Sequence, residues 1–205
     1  MSVIFLARDR NKVIREAKRF YFKAQDDLKA GKWLKAIQYL KRSLEIKDDY
    51  LPAYRDLADL YHQHGDLKEA QKYIQRAILI NPEDPLSLFI QGVIYITTRD
   101  IHAALDFFNR ALKNGELTWA LAYNLGLCYY CLEEFDFSLQ YLNKAIQKDP
   151  AQSQPYLLLA QIFIIQKKTD LAKEILLRAK KMRPHDHELE ILLKNILYPP
   201  KRPGV

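Results

Sequence analysis

The chain has 205 residues, of which 49% are hydrophobic and 28% charged, and its formal net charge is +7. This composition is typical of a water-soluble globular or repeat protein, and the absence of any run of about 18 apolar residues argues against a membrane-spanning helix. Six glycines leave little room for β-hairpins, and two cysteines give no disulfide framework, which fits a reducing compartment.

The first 16 residues are predicted to form a helical lead-in that merges with the helix after it. Val3 to Ala7 is too short an apolar stretch for a secretory signal and no small-residue cleavage site follows, so a cytoplasmic location is expected. The net charge is +6 over residues 1–50, −4 over 51–150 and +5 over 151–205. The basic residues near the N-terminus either solvate the outer side of a terminal helix, which we favour, or contact nucleic acid or an anionic membrane surface. They are Arg8, Arg10, Lys12, Arg15, Lys18, Arg19 and Lys23.

Residues 51–84 are the clearest structural unit and predict two amphipathic helices joined by a tight turn. Gly65 can adopt the left-handed conformation that ends the first helix, and Asp66 can cap the second. Pro82 forces Asn81 out of the helical region and ends the second helix. The apolar stripes are Tyr54, Leu57, Ala58 and Tyr61 in the first helix and Ala70, Tyr73, Ile74, Ala77 and Ile78 in the second.

The same pattern recurs in phase at a period of 34 residues, with Leu51 as position 1 of its copy. Small residues recur where paired helices must approach closely, and large ones fill the space between them. Position 8 has Ala24, Ala58, Gly92, Gly126 and Ala160; position 20 has Ala36, Ala70, Ala104, Ser138 and Ala172; position 27 has Ser43, Ala77, Ala111, Ala145 and Ala179.

This pattern resembles the tetratricopeptide repeat family, whose motif includes Leu-Gly or Leu-Ala at positions 7 and 8, Tyr at 11 and Pro at 32. The matching residues are Leu125-Gly126, Tyr61, Tyr95, Tyr129, Pro82, Pro150 and Pro184. The resemblance implies an all-α fold, a right-handed superhelical α-solenoid of helix-turn-helix repeats with a C-terminal capping helix. The expected divisions are a lead-in at 1–16, repeats at 17–50, 51–84, 85–118, 119–152 and 153–186, a capping helix at 187–197 and a Pro-rich tail at 198–205.

Positions 2, 5, 6, 9, 12 and 13 lie on the other side of the first helix of each repeat. In the tetratricopeptide repeat family, which this sequence resembles, that side lines a concave groove. In repeat two this side is polar, with Arg55, Asp56, Asp59, His62 and Gln63. In repeats three to five it is mostly apolar, and a helix that is apolar nearly all round must be buried on both sides. The predicted groove residues are Leu86, Phe89, Ile90, Val93, Ile96, Tyr123, Asn124, Leu127, Tyr130, Leu157, Leu158, Gln161, Ile164 and Ile165.

We therefore predict a non-enzymatic scaffold, adaptor or chaperone-like module that binds an apolar or amphipathic segment of a partner protein in this groove. Tyr123 and Tyr130 would anchor the segment, and Asn124 would hydrogen-bond its backbone. Three alternatives stay open: neighbouring repeats or a terminal segment cover the apolar stripe, two copies of the chain associate through it, or the basic N-terminal helices bind nucleic acid or a membrane surface.

Enzymatic and metal-binding functions are disfavoured. The sequence has no phosphate-binding Gly-rich loop and no Gly-x-Ser-x-Gly motif, so no catalytic residue and no cofactor are predicted. Cys128 and Cys131 have metal or redox spacing but no second ligand pair, and we interpret them as small apolar fillers. The remaining minor motifs are His62-x-His64, His185-Asp186-His187 and the Pro-x-x-Pro run from Pro200 to Pro203.

One branch of the tetratricopeptide repeat family, which this sequence resembles, binds the C-terminal carboxylate of chaperones with Lys, Asn and Arg. Asn124 matches that pattern, but Gln154 and Leu158 stand where the clamp needs Lys and Arg. Chaperone-tail binding is therefore disfavoured, and the apolar grooves of secretion chaperones and assembly scaffolds fit better.

Overall fold

The computed structural model describes residues 3–197, with side chains for residues 11–187 and 189–196. Over residues 3–197 the backbone forms eleven α-helices and no β-strand, which confirms the predicted all-α fold class. The predicted Pro-rich tail and its Pro-x-x-Pro run lie outside the described residues. The helices are α1 Val3–Lys29, α2 Trp33–Ile46, α3 Leu51–Gln63, α4 Leu67–Ile80, α5 Pro85–Thr97, α6 Ile101–Asn114, α7 Trp119–Cys131, α8 Phe135–Lys148, α9 Gln154–Ile165, α10 Thr169–Met182 and α11 His187–Leu197.

The helices belong to two compact units, Met1–Asp100 and Ile101–Val205, which we call the N-terminal unit and the C-terminal unit. In the N-terminal unit, α1 packs against α2 and α3 against α4, and α5 contacts both α3 and α4. In the C-terminal unit, α7 pairs with α8 and α9 with α10, while α6 contacts α7 and α11 contacts α9 and α10. None of the helices between residues 3 and 197 has the length and apolar content needed to cross a bilayer.

Small residues bring the paired helices close together, as the 34-residue pattern predicts. A Cβ atom added to Gly126 of α7 would lie 2.9 Å from Cγ of Leu142 in α8, so a larger residue there would push the helices apart. Where serine replaces the usual alanine, its hydroxyl is buried and bonded. Ser138 donates to the carbonyl of Gly126 at 2.8 Å, and Ser43 donates to that of Ala17 at 2.9 Å. Burying these two hydroxyl groups in the core therefore costs little folding free energy.

The turn predicted around Gly65 is confirmed. Gly65 has a φ of +80°, and the side chain of Asp66 accepts a hydrogen bond from the amide of Glu69 at 3.1 Å, which caps α4. The helix ends at Ile80, and Asn81 before the proline is extended, with φ −141° and ψ 98°. Residues at the turns therefore determine where α3 ends and where α4 begins and ends.

The last helix, α11, closes the C-terminal core. Its Leu189 and Leu193 are buried in the same apolar cluster as Leu176 of α10 and Ile162 of α9. Leu192 and Ile196 pack against this cluster while partly exposed. The helical spacing of these leucines in the sequence therefore corresponds to a packed face of α11.

Every repeat places a residue with positive φ at position 15, between its two helices. Glycine fills this position in the first two copies, with a φ of +72° at Gly31 and +80° at Gly65. Ordinary side chains fill it in the next three, where Arg99, Glu133 and Lys167 have φ values of +63°, +61° and +60°. The left-handed conformation is costly for such residues because their Cβ approaches the next carbonyl.

Replacing Glu133 with glycine is expected to raise the free energy of unfolding by about 0.5–1 kcal/mol. Glycine relieves the strain of the left-handed conformation, and the greater entropy of glycine in the unfolded chain offsets part of this gain. Urea denaturation followed by circular dichroism would measure this change. Glu133→Ala is the matched control and should leave stability nearly unchanged, since alanine retains the Cβ. An equal gain in both variants would show that the side chain of Glu133, and not its backbone, is the source of the strain.

Candidate partner-binding faces

Within each unit, the first helices of neighbouring repeats contact one another, and in the N-terminal unit residues at positions 6, 9, 12 and 13 take part. In the N-terminal unit, Gln25 of α1 hydrogen-bonds Asp56 of α3, and His62 of α3 hydrogen-bonds Thr97 of α5 at 2.7 Å. In the C-terminal unit, α7 contacts α9 and α9 contacts α11. We call these surfaces the N-terminal face (α1, α3 and α5) and the C-terminal face (α7, α9 and α11).

The predicted groove residues of α5 lie on the N-terminal face. Leu86 is 54% exposed at the start of the helix. The others, Phe89, Ile90, Val93 and Ile96, are partly buried, and Ile90 packs against the apolar cluster that includes Ile74 of α4. The α5 stripe is thus covered in part by its own unit and leaves Leu86 open to solvent.

On α7 the predicted groove residues are only half open. Tyr123, Leu127 and Tyr130 are partly buried and pack against the C-terminal core. The side-chain nitrogen of Asn124 donates a hydrogen bond to the carbonyl of Ala120 at 2.9 Å, one turn earlier in the same helix. The side-chain oxygen of Asn124 accepts no hydrogen bond within the helix, so it can accept one from an N–H group of a partner.

On α9 the predicted residues divide between core and surface. Leu158 is 5% exposed and belongs to the buried core, and Leu157 packs against that core while partly exposed. Gln161 is exposed, and Ile164 and Ile165 are 38% and 51% exposed near the end of the helix. Surface contact from α9 therefore rests on Gln161, Ile164 and Ile165, whereas Leu158 contributes to folding.

Two of the three helices of the C-terminal face, α7 and α9, are also unusual in their lack of charge. Neither α7 nor α9 contains a single Lys, Arg, Asp or Glu. These two helices offer apolar contacts and amide hydrogen bonds but no ion pairs, whereas α11 carries the exposed Glu190 and Lys194. A segment that binds the surface of α7 and α9 must be recognised by shape and burial, and that binding should depend little on salt.

The N-terminal face carries a polar network that the sequence pattern did not reveal. Asp56 accepts hydrogen bonds from Gln25 at 2.5 Å and from the hydroxyl of Tyr21, both on α1. One turn further along α3, Asp59 accepts a bond from Gln63 at 2.8 Å. Tyr21 and Gln25 occupy positions 5 and 9 of repeat one, so reading the groove positions in that repeat as well would have identified them.

Burial makes the ionised form of these two carboxylates less favourable. Desolvation raises the pKa of Asp56, against the smaller opposing effects of its hydrogen bonds from Tyr21 and Gln25 and of the nearby charge of Arg55. Desolvation likewise raises the pKa of Asp59, which the charge of His62 and the bond from Gln63 partly offset. The same network raises the pKa of Tyr21, because its hydroxyl is buried and lies beside an anion.

The two cysteines lack the features of a reactive or metal-binding pair. Cys128 is buried, and desolvation raises its pKa to about 12, so its thiol stays protonated at neutral pH. Cys131 is exposed, and partial burial raises its pKa as well. Within the described residues, no group of three or more His, Cys, Asp or Glu side chains is arranged to hold a metal ion. Both histidines of the His185-Asp186-His187 motif are exposed.

Comparisons with known proteins agree with this architecture. Family models described as tetratricopeptide repeat match residues 27–87, 91–155 and 153–186. Among curated proteins, the chain is 26% identical over 132 residues to the BBSome complex member BBS4 of Bos taurus, covering 63% of this chain and 25% of that protein. It is also 26% identical over 132 residues to anaphase-promoting complex subunit 3 of Schizosaccharomyces pombe, covering 64% of this chain and 20% of that subunit. The chain therefore spans a quarter or less of these two relatives.

Solved structures show the same fold at low sequence identity. The crystal structure of the APC/C hetero-tetramer Cut9-Hcn1 superposes with a TM-score of 0.82 at 22% identity, over 88% of this chain and 36% of that one. YrrB, described as a TPR protein with an unusual peptide-binding site, superposes with a TM-score of 0.65 at 19% identity, over 95% and 98% of the two chains. These likenesses show the fold alone.

Replacing both Asp56 and Asp59 with asparagine is expected to stabilise the chain at pH 7. Each folded pKa lies above the value of roughly 3.9 for an aspartate in an unfolded chain, so the folded state binds more protons and its stability falls as pH rises through that window. Asparagine keeps an acceptor for Gln25 and Tyr21 without the charge.

Thermal unfolding at pH 4 and pH 7 would test this expectation. The variant should melt above the wild type at pH 7, and the difference should shrink toward pH 4, where the wild-type carboxylates take up protons. Asp26→Asn with Asp48→Asn makes the same change in net charge at exposed sites of the same unit and should leave the melting temperature nearly unchanged. A lower melting temperature for the Asp56 and Asp59 variant at pH 7 would contradict the interpretation of a desolvated pair.

Proposed function

Because the chain belongs to the tetratricopeptide repeat family, whose repeats are typical of protein–protein interaction, we propose that it is a non-enzymatic scaffold or adaptor for a partner protein. The partner contributes an apolar or amphipathic segment that lies on the C-terminal face. The observation that carries this proposal is the combination of the uncharged helices α7 and α9 with the exposed side chains of Ile164 and Ile165. The chaperone-like role is one form that such a module can take.

The proposed binding energy comes from burial. Fully burying an isoleucine side chain contributes roughly 1.5–3 kcal/mol, so covering two half-exposed isoleucines contributes on the order of 2 kcal/mol. Tyr123 and Tyr130 of α7 add aromatic surface to the same face, and the oxygen of Asn124 and the exposed amide of Gln161 can bond a partner's backbone. Polar groups of this kind fix the register of the segment, while the apolar contacts supply the affinity.

Peptide recognition offers a direct test of the proposed face. Dodecapeptides selected from a random phage library on the immobilised chain, then synthesised, would be measured by fluorescence anisotropy. The variant carrying Ile164→Asn and Ile165→Asn should bind them at least about 10-fold more weakly, since a loss of 1.4 kcal/mol is a factor of ten. These side chains suit the test better than Leu127 and Tyr130, which also pack against the core.

Leu171→Asn with Leu177→Asn is the matched control, because both leucines are similarly exposed on α10 and lie off the C-terminal face. The control should retain wild-type affinity, and all variants should keep their helical circular dichroism. Unchanged binding in the isoleucine variant, equal loss in the leucine variant, or failure of the selection to yield any binding peptide would count against the proposal.

A second candidate function rests on the exposed basic side chains of α1. Lys12, Arg15 and Arg19 are exposed and line one surface depression together with Glu16. Cations grouped in this way attract the phosphates of nucleic acid or of an anionic bilayer, and such contacts weaken steeply with salt.

If this candidate holds, the wild type binds single-stranded RNA, duplex DNA or phosphatidylserine vesicles with strong salt dependence. Replacing Arg15 and Arg19 with glutamine should then reduce the slope of log affinity against log salt by about 2 for nucleic acid. The matched variant with Lys173→Gln and Arg178→Gln, two exposed cations of α10, should keep the wild-type slope. Absence of binding to all three probes at 50 mM salt would eliminate this candidate.

A further inference from the structure

Helices α9 and α11 end at the same side of the C-terminal unit. They start close together, because Arg183, in the turn before α11, donates a hydrogen bond to the carbonyl of Ala151, in the turn before α9, at 2.7 Å. The two helices contact each other and have nearly equal lengths, 12 and 11 residues. In the 34-residue register, α11 covers positions 1–11 and α9 positions 2–13. Leu197, the last residue of α11, therefore lies at the end of α9 that carries the exposed Ile164 and Ile165.

A depression at this end of the face combines negative charge with aromatic surface. We call it the acidic depression, and its lining residues are Glu133, Glu134, Phe135, Asp136, Phe137 and Gln166. It adjoins the two isoleucines, since Gln166 directly follows Ile165 in the chain, and the ring of Phe137 is 50% exposed.

The carboxylates of the acidic depression are open to a cation. All three are exposed, and none of them forms an ion pair with a residue that the structure describes. Lys168, in the turn after α9, donates a hydrogen bond to the side-chain oxygen of Gln166 at 2.9 Å and not to a carboxylate. A segment that brings apolar groups followed by positive charge would match the isoleucines and the acidic depression in that order.

The sequence that follows α11 has this order. Residues 198–205, the predicted Pro-rich tail, read Tyr-Pro-Pro-Lys-Arg-Pro-Gly-Val and contain no acidic residue. A fully extended chain spans at most 3.3–3.6 Å per residue, so the five residues from Tyr198 to Arg202 reach at most about 18 Å from the end of α11. Packed helices lie about 8–10 Å apart, so both the end of α9 and the acidic depression beside it are within reach.

We infer that the Pro-rich tail folds back over the end of the C-terminal face and competes there with the partner. Tyr198 and the prolines after it cover Ile164 and Ile165, and Lys201 and Arg202 lie in the acidic depression. The inference rests on the proposed function for the ligand that is excluded, whereas the contact within the chain does not depend on it. The chain thus carries its own inhibitor of binding at this face.

Tethering and charge favour the tail over other occupants. A segment on a short linker has an effective concentration in the millimolar range, so even a contact with a dissociation constant of about 1 mM keeps the face covered roughly half of the time. Prolines restrict the backbone before contact, which lowers the entropy lost on docking. Nucleic acid and acidic segments would be repelled by the acidic depression, whereas Lys201 and Arg202 have the opposite charge.

Paramagnetic NMR on the full chain would detect this contact directly. A nitroxide label is attached at Gly204→Cys, in a chain whose exposed native cysteine is removed by Cys131→Ser, while Cys128 is buried and stays unlabelled. At 50 mM salt the amide signals of Ile165 and Glu134 should lose most of their intensity because the label is held close to them. The signal of Met182, at the far end of α10, should keep its intensity.

Variants assign the contact to its two parts. Lys201→Glu with Arg202→Glu should restore the signal of Glu134, since the acidic depression repels the reversed charges. Lys173→Glu with Arg178→Glu makes the same change in net charge at exposed sites of α10 and should leave the signal weak. The variant with Ile164→Asn and Ile165→Asn should restore it through loss of the apolar contact.

Competition with a partner is measured separately. Peptides selected on the immobilised chain should bind the Lys201→Glu and Arg202→Glu variant about 10-fold more tightly than the wild type if the tail covers the face in nine molecules of ten. If no peptide is selected, the proposed function fails, yet the NMR signals still report whether the tail docks. The two failures are therefore distinguishable.

Four outcomes would overturn the inference. Full signals of Ile165 and Glu134 in the labelled wild type would show that the tail does not dock. Signal loss that survives in the Lys201 and Arg202 variant would show a tail that is near the face without the charge contact. Signal loss in a mixture of spin-labelled chains with isotope-enriched, unlabelled chains would assign the tail to a second copy. Equal peptide affinity of that variant and the wild type would show that the docked tail excludes no partner.

Discussion

Both units depend on the close approach of paired helices, which is possible only where a small side chain recurs. At Gly126 the facing Leu142 leaves no room for even a methyl group, and at Ser43 and Ser138 the hydroxyl is accommodated because it bonds a carbonyl of the partner helix. Once a pair is packed in this way, the second helix has one buried side and one solvated side. Within each unit the first helix is different, because it also contacts a neighbouring first helix.

This difference decides where the chain can present a binding surface. The second helices α4, α6 and α8 carry charged residues on their exposed sides, as amphipathic helices do. The first helices α5, α7 and α9 carry none, and part of their apolar surface is covered by neighbours within the same unit. The most exposed large apolar side chains of these helices lie near helix ends and are Leu86, Ile164 and Ile165. The exposed apolar area is therefore smaller than the sequence pattern alone suggests, and it is concentrated in a few side chains.

The helices could be predicted well from the sequence because their signals are local. Gly65, Asp66 and Pro82 act on the backbone within two or three residues, and the structure has the conformations that they predict. The left-handed conformation at Glu133 could not be predicted from its residue type, since nothing about glutamate favours it. The repeat register alone requires it there. Here the packing of the two flanking helices overrides a local preference.

The candidate sites were less predictable because they depend on neighbours that are distant in sequence. Helical spacing places Leu157 and Leu158 on the same side of α9, yet Leu158 is buried with Leu193 of α11 and Leu157 is only partly covered. Likewise, the polar residues of repeat two could be assigned to the correct side of α3. That Asp56 is held by Gln25, 31 residues earlier, required the arrangement of α1 beside α3.

The stability of the fold does not explain why the N-terminal face has carboxylates at all. At both positions an asparagine would accept the same hydrogen bonds from Gln25 and Gln63, and it would avoid the desolvation that raises the pKa of each aspartate. The two faces thus differ in origin: the C-terminal face follows from how the first helices pack, whereas the acidic residues of the N-terminal face are expected to lower the stability of the free chain.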